Sequence, residues 1–207
     1  ELQSGVVSIG STILFAASQP FGTPGSVMTE LWKSDGSIGN HELVKNIRTR
    51  TSDSNPNGLV VADGRVFFEA SDGIHGQELW SSDGTEEGTT LTRDIRPGSS
   101  GIGLLSKFAV GGEVYFPADD GSHGVELWRS DGTETGTTMV ADIQSGPPSS
   151  MDASRAPIGA LGNLVLFGAD DGVHGTELWI TDGTAANTLL LKDIIEEVVV
   201  RMSGSDQ

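Results

Sequence analysis

Three short loops of the sequence carry Asp and His at a fixed spacing, in the pattern Asp-Gly-x-His-Gly. Carboxylates beside glycine turns could supply part of the roughly six to eight oxygen ligands that calcium takes from side chains and carbonyls. The candidate metal ligands are Asp72, Asp119, Asp120, Asp170 and Asp171, and the candidate ligand-binding imidazoles are His75, His123 and His174. Calcium is therefore the one cofactor that the sequence suggests.

A structural interpretation of the same loops stays open. Asp-Gly is also a common hairpin-turn signal, and the His could bond to the Glu that begins the next strand. No complete EF-hand or nonapeptide calcium signature is present. Zinc is less well supported, because one His per loop would converge on a single ion only if the loops reached a common axis.

The loops belong to a repeat of the triplet Glu-Leu-Trp, which occurs four times with spacings of 48, 48 and 51 residues and is followed each time by a Ser/Thr-Asp-Gly turn. We interpret these residues as structural. They are Glu30, Glu78, Glu126 and Glu177, Trp32, Trp80, Trp128 and Trp179, and Asp35, Asp83, Asp131 and Asp182.

Turn chemistry explains the Asp residues, and packing between sheets explains the Trp residues better than a sugar-stacking ring does. The Glu residues are expected to accept hydrogen bonds from loop amides or from His. A ring of catalytic acids is the alternative, but a catalytic pair needs carboxyl groups with different pKa values, whereas repeated copies have similar surroundings. The sequence therefore predicts no catalytic residue.

Strand and turn signals alternate through each copy, and in the second copy they predict strands at 59–62, 66–70, 77–81 and 89–95. The strands are apolar on both faces, so both faces of each sheet should be buried against other parts of the protein. We predict an all-β fold, a β-propeller whose four repeats of about 48 residues each form a four-stranded antiparallel blade. The blades are placed at 5–56, 57–103, 104–157 and 158–195 of a single domain, 1–207. A ring closed within the chain and a piece of a larger ring or open array are both consistent.

Blade topology places the Asp-Gly-x-His-Gly loops on one face with residues 96–103 and 144–153, and the Ser-Asp-Gly turns on the other. The first of these faces is the expected binding surface. The first copy has a different loop at 19–25. Residues 196–207 lie outside the repeat and contain an apolar run that predicts an extra strand. This strand could pair with the first blade and close the ring, or add to the exposed edge of another chain, so that the protein self-associates.

The run Glu-Leu-Trp-x-Ser-Asp-Gly-Thr, over residues 57–195, resembles the bacterial ELWxxDGT repeat family. The resemblance implies large secreted or surface-attached bacterial proteins. It therefore informs location and fold more than chemistry.

Charge and composition exclude several classes of protein. Asp and Glu number 29 against 12 Lys and Arg, a net charge of −17, which disfavours nucleic acid. No apolar run is long enough for membrane insertion. The chain has no Cys, and its lack of an initiator Met suggests a processed or excised chain.

The sequence thus predicts a non-enzymatic binding or adhesion module, secreted or on the bacterial cell surface, which takes a glycan or other surface ligand with or without calcium. A structural subunit of a self-assembling extracellular fibre or surface layer is the alternative. A polysaccharide-active enzyme ranks third, because it rests on fold analogy alone.

Overall fold

The computed structural model describes residues 2–20, 27–48, 53–102, 106–152 and 159–193. These residues form sixteen strands in four antiparallel sheets of four strands, with one short 3-10 helix at Ala185–Asn187. The predicted all-β fold of four four-stranded propeller blades is confirmed. No helix in the described ranges is long and apolar enough to cross a membrane.

Each sheet is a meander in which the strands lie in chain order. Sheet I consists of β1 (Leu2–Ile9), β2 (Thr12–Pro20), β3 (Val27–Ser34) and β4 (His41–Lys45). Sheet II consists of β5 (Asn57–Ala62), β6 (Arg65–Ser71), β7 (Gln77–Ser82) and β8 (Thr90–Leu91). Sheet III consists of β9 (Phe108–Val110), β10 (Glu113–Asp119), β11 (Val125–Ser130) and β12 (Thr138–Met139). Sheet IV consists of β13 (Gly159–Leu161), β14 (Leu164–Asp170), β15 (Thr176–Thr181) and β16 (Leu189–Lys192).

The hairpin between β5 and β6 shows how the sequence fixes the register. Asp63 and Gly64 form the two-residue turn with φ of 43° and 70°, the conformation that matches the twist of paired strands. This turn places Ala62 of β5 opposite Arg65 of β6, and in the next strand pair Phe68 of β6 lies opposite Trp80 of β7. The same pairing joins Phe15 to Trp32 in sheet I, so the repeated motif occupies equivalent positions.

The fourth strand is shorter than predicted. Residues 89–95 were expected to form a strand in the second copy, whereas β8 comprises only Thr90 and Leu91. The backbone N–H and the hydroxyl of Thr92 both donate to the carbonyl of Leu79, at 2.9 and 2.8 Å, which ends the regular ladder. Residues 21–25 of the first-copy loop lie outside the described residues, and so does the whole segment 196–207 with its predicted strand.

Consecutive sheets pack face to face through three apolar clusters. In each cluster, the side of one sheet that carries the Leu of Glu-Leu-Trp meets the side of the next sheet that carries its Trp; we call these the Leu face and the Trp face. Between sheets I and II, for example, Leu14 and Leu31 pack against Phe68 and Trp80. Sheets II and III are covered on both faces, as expected, whereas the apolar clusters cover only one face of sheets I and IV in the described chain.

Candidate functional site

The three Asp-Gly-x-His-Gly loops connect the second and third strands of sheets II, III and IV. We call them loop II (72–76), loop III (120–124) and loop IV (171–175). In loops II and III the last glycine packs against the connection to the next sheet: a Cβ on Gly76 would lie 2.4 Å from the backbone nitrogen of Gly101. A Cβ on Gly124 would lie equally close to the carbonyl oxygen of Pro148. These two loops therefore rest on the segment that leads to the next sheet.

Within each loop, the Asp binds the His through both of its carboxylate oxygens. Oδ1 of Asp120 accepts the backbone N–H groups of Ser122 and His123 at 2.8 and 2.9 Å, and Oδ2 lies 2.7 Å from Nδ1 of His123. The contact with Asp120 raises the pKa of His123. Loops II and IV repeat this geometry with the pairs Asp72–His75 and Asp171–His174.

In loop IV, the hydrogen bonds from the backbone and ring of His174 lower the pKa of Asp171 to about 2. This carboxylate is therefore ionised throughout the physiological range. An ionised Asp beside the imidazole gives each loop a charge-assisted contact, which is stronger than a neutral hydrogen bond. These hydrogen bonds thus fix the loop conformation.

The residue before each of these Asp residues secures the start of the loop. Oδ1 of Asp119 accepts the N–H of Gly121 at 2.7 Å, and Oδ1 of Asp170 accepts that of Gly172 at 2.8 Å. Asp119 also forms an ion pair with Arg96, whose Nη1 lies 2.6 Å from Oδ2. Because Arg96 belongs to the connection after sheet II, it ties loop III to the preceding blade.

The predicted calcium ligands therefore lie in separate loops, and their oxygens already accept hydrogen bonds from loop amides. Among the residues that the structure describes, no group of three or more His, Asp or Glu side chains lies close enough to hold a metal ion. Calcium at these carboxylates stays a prediction. Each His side chain pairs with the Asp three residues earlier, whereas the sequence had suggested the strand Glu as a partner.

The Glu of Glu-Leu-Trp fixes the connection beneath the loops. Both carboxylate oxygens of Glu78 accept backbone N–H groups, from Ile95 at 3.3 Å and Arg96 at 3.2 Å. Burial raises the pKa of Glu78 to about 8. Glu126 accepts from the hydroxyl of Ser150 at 2.5 Å, an interaction between residues 24 apart in the chain.

Glu30 repeats this arrangement, since it accepts from the hydroxyl of Ser54 at 2.6 Å. Sequence reasoning identified the Glu residues but missed the Ser partners. Both Ser residues lie in the segment before the next sheet, 24 residues after their Glu, and this shared separation in sheets I and III is the available signal. The corresponding position after Glu78 is Ile102.

The Ser-Asp-Gly turns lie at the other end of the strands, between the third and fourth strand of each sheet. In sheet II, Oδ1 of Asp83 accepts both the backbone N–H and the hydroxyl of Thr85, at 2.9 and 2.7 Å. The hydroxyl of Ser82 accepts the N–H of Gly84 at 3.0 Å. Asp35, Asp131 and Asp182 accept equivalent backbone N–H groups.

One buried ion pair was not predicted. Nζ of Lys107 contacts a carboxylate oxygen of Glu69, and both side chains are only 1% exposed. Burial raises the pKa of Glu69 to about 7 and lowers that of Lys107, so each group depends on the other to remain charged. The available signal was a single Glu within the apolar strand β6.

The chain matches no model of a known protein family, and no curated protein matches it. Several solved structures are similar to it. An acylaminoacyl peptidase of Pyrococcus horikoshii matches with a TM-score of 0.53 and 13% identity over 95% of this chain and 28% of the peptidase. An α-L-arabinofuranosidase of Clostridium thermocellum matches with a TM-score of 0.37 and 14% identity, over 90% of this chain and 70% of that one. The computationally designed Ika8 protein also has a TM-score of 0.37, with 16% identity over 93% of this chain and 61% of its own. This chain thus spans little more than a quarter of the peptidase, and at such low identity the likeness concerns the fold alone.

Proposed function

We propose that this chain is a secreted or cell-surface binding module, which holds a glycan or other surface ligand on loops II, III and IV without chemical turnover. The observation that supports the proposal most is the construction of these loops. Each is fixed internally by its Asp–His contact, and each leaves the residue between Gly and His exposed. These tip residues are Ile74, Ser122 and Val173, and the two apolar ones are 69% and 80% exposed.

Fixed loops on a rigid sheet scaffold are well suited to recognition. A loop that already has its bound conformation loses less conformational entropy when a ligand arrives. Three similar loops on successive blades present similar contacts repeatedly, which suits a ligand that is itself repetitive, such as a polysaccharide. The tip residues differ in type, so they would determine which ligand is preferred.

The carboxylates near the loops also favour binding over catalysis. Asp72, Asp120 and Asp171 are held by their own loops, and Glu78 is fully buried. Glycoside hydrolysis needs two carboxyl groups on either side of the scissile bond, in different environments. The repeated copies give these acids equivalent environments instead.

The test is binding to a panel of bacterial and host glycans by the wild-type chain and by the double variant Ile74→Ser, Val173→Ser. We expect the variant to lose at least tenfold in affinity for whichever glycan the wild type binds. Glu86→Ser, in an exposed turn at the opposite end of the strands, is the matched control and should bind normally. Equal binding by all three proteins would remove the loops from the proposal, and release of reducing sugar would contradict its non-enzymatic part.

The predicted role of calcium is tested in the same assay, with chelator and with millimolar calcium. Binding that requires calcium and is lost in Asp120→Asn and Asp171→Asn would place the ion at the loops. Binding that is the same under both conditions would show that the loops act without it.

A second candidate function is a subunit of a self-assembling extracellular fibre or surface layer. The exposed apolar faces of the two end sheets favour it.

A further inference from the structure

The Trp face of sheet I carries the same residue types that are buried on sheets II, III and IV. Its strand β2 presents Ile13, Phe15 and Ala17, and β3 adds Trp32. The equivalent residues of sheet II are Val66, Phe68, Ala70 and Trp80, and all of them are buried against the Leu face of sheet I. Sheets III and IV continue the pattern, with Val114, Phe116, Ala118 and Trp128, and with Val165, Phe167, Ala169 and Trp179.

In sheet I no other described strand covers this face. It lines a concavity of about 660 Å³ whose walls include Val6, Ile13, Phe15 and Trp32. Val6 is 58% exposed. Trp32 is half-buried, as Trp179 is, whereas Trp80 and Trp128 are 7% and 5% exposed. Among the described residues, a surface that is a core contact in three copies is therefore accessible in the first.

The Leu face of sheet IV is the matching open surface at the other end, and it is more apolar than its buried counterparts. Three equivalent positions are polar in sheets I, II and III and apolar in sheet IV. At the start of the second strand, Thr12, Arg65 and Glu113 correspond to Leu164. After the Trp, Lys33, Ser81 and Arg129 correspond to Ile180. On the fourth strand, Glu42, Thr90 and Thr138 correspond to Leu189.

The polar residues at these positions contact the next sheet where there is one. Nζ of Lys33 donates to the carbonyl of Gly84 at 2.9 Å, and the hydroxyl of Ser81 donates to that of Gly132 at 3.4 Å. Ile180 cannot make such a bond. With Leu161 and Leu189 at 66% and 57% exposure, the Leu face of sheet IV is an exposed apolar patch of the kind that marks an interface.

We infer that the Leu face of sheet IV in one copy of this chain packs on the Trp face of sheet I in a second copy. The contact between Leu face and Trp face occurs three times among the described residues, which leave the Trp face of sheet I and the Leu face of sheet IV without a covering sheet. The greater apolarity of the sheet IV half is typical of contacts between identical subunits. The two surfaces differ, so the contact is head to tail: two copies could close an eight-blade ring, and an arrangement that does not close would grow as a filament.

The charge of the chain gives the association a salt dependence. Each copy has a net charge of −17, so two copies repel each other at low ionic strength. The contacting faces are apolar, so added salt screens the repulsion between the chains but does not weaken the attraction between these faces. We therefore expect association to strengthen as the salt concentration rises.

The experiment is light scattering on the full 207-residue chain over a range of concentrations, with one variant for each face. Ile180→Arg with Leu189→Thr introduces the residue types that sheet III already carries at Arg129 and Thr138, so sheet IV should accept them. Val6→Asp changes an exposed residue of the sheet I concavity. Thr135→Asp, at an exposed residue of the turn between β11 and β12, adds the same charge away from both faces and is the control. Circular dichroism checks that each variant folds.

We expect the wild type and the control to have the mass of two or more chains, and each face variant alone to have the mass of one. An equimolar mixture of the two face variants should form a 1:1 dimer, because together they supply one intact Leu face and one intact Trp face. A wild type of single-chain mass at every concentration would overturn the inference in favour of closure within the chain or an unlike partner. If only Val6→Asp lost the ability to associate, the contact would be a symmetric one between two Trp faces. If both face variants had the same mass as the associated wild type, the contact would lie elsewhere.

Discussion

Asp120 holds His123 at two points, with one carboxylate oxygen on its backbone N–H at 2.9 Å and the other 2.7 Å from Nδ1 of its ring. The main chain and the side chain of the same residue are therefore fixed together. This double contact stands where the sequence suggested an ion site, and it recurs in loops II and IV.

The first prediction concerns the protonation of His123. The neighbouring carboxylate raises the pKa of this imidazole, so Asp120→Asn should lower it toward its ordinary value. A raised pKa in the folded state stabilises the protein below the pKa of the unfolded chain, and this contribution disappears as the pH rises through the folded value. NMR titration of the imidazole measures the shift. Asp63→Asn, at a hairpin remote from loop III, should leave the titration unchanged.

The second prediction concerns the pH dependence of stability. Burial raises the pKa of Glu78 to about 8, so the folded state holds this proton more tightly than the unfolded chain does. The free energy of unfolding should therefore fall as the pH rises from the ordinary Glu value to about 8, by at most about 1.4 kcal/mol per pH unit for one group. Urea titrations at several pH values should show a shallower fall in Glu78→Gln. An unchanged slope would mean that Glu78 is ionised in the folded protein at lower pH than we infer.

The third prediction compares equivalent leucines on an internal and an open face. Leu79 is 1% exposed between sheets II and III, and Leu79→Ala should lower the free energy of unfolding by about 2–5 kcal/mol. Leu178 is half-buried on the Leu face of sheet IV, so Leu178→Ala should cost the single chain much less. Chemical denaturation at low and high protein concentration separates the two effects. A cost for Leu178→Ala as large as that for Leu79→Ala at high dilution would show that sheet IV is covered within the chain.

The fourth prediction concerns the buried ion pair. Lys107→Met leaves Glu69 without its cation in a site that excludes water, and this should lower the free energy of unfolding by about 3–5 kcal/mol. The double variant Glu69→Leu, Lys107→Met removes both charges and should recover most of that loss. Thermal unfolding of the two variants makes the comparison. A double variant that is no more stable than the single one would mean that the pair contributes through packing and not through charge.

The repeated residues allowed the sheets to be predicted, because short-range patterns determine strands and hairpins. In the second copy, the apolar runs and the turn residues between them were sufficient to predict the first three strands, which the structure places at Asn57–Ala62, Arg65–Ser71 and Gln77–Ser82. The partner of His75 could not be predicted, since Asp72 and Glu78 are both close in sequence and only the loop conformation decides between them. The short β8 was missed for the same reason, because the Thr92–Leu79 contact depends on how the turn closes.

The open faces were harder still to predict. Both faces of every sheet are apolar in the sequence, so the pattern predicts that each sheet packs against a neighbouring sheet on both sides. It cannot show which sheets have a neighbour on one side only. The polar-to-apolar change at Ile180 was visible in the sequence, but its meaning required the position of Lys33 and Ser81 against the next sheet.

The 24-residue separation between Glu126 and Ser150 has a consequence for synthesis of the protein. Sheets I and III are each completed by a Ser that leaves the ribosome shortly after the sheet's own strands, and the apolar clusters join only sheets that are consecutive in the chain. In these contacts of the described residues, no early segment has to wait for a distant one. The chain can therefore fold progressively from its first blade during translation, and each finished blade offers its Leu face as the surface on which the next one assembles.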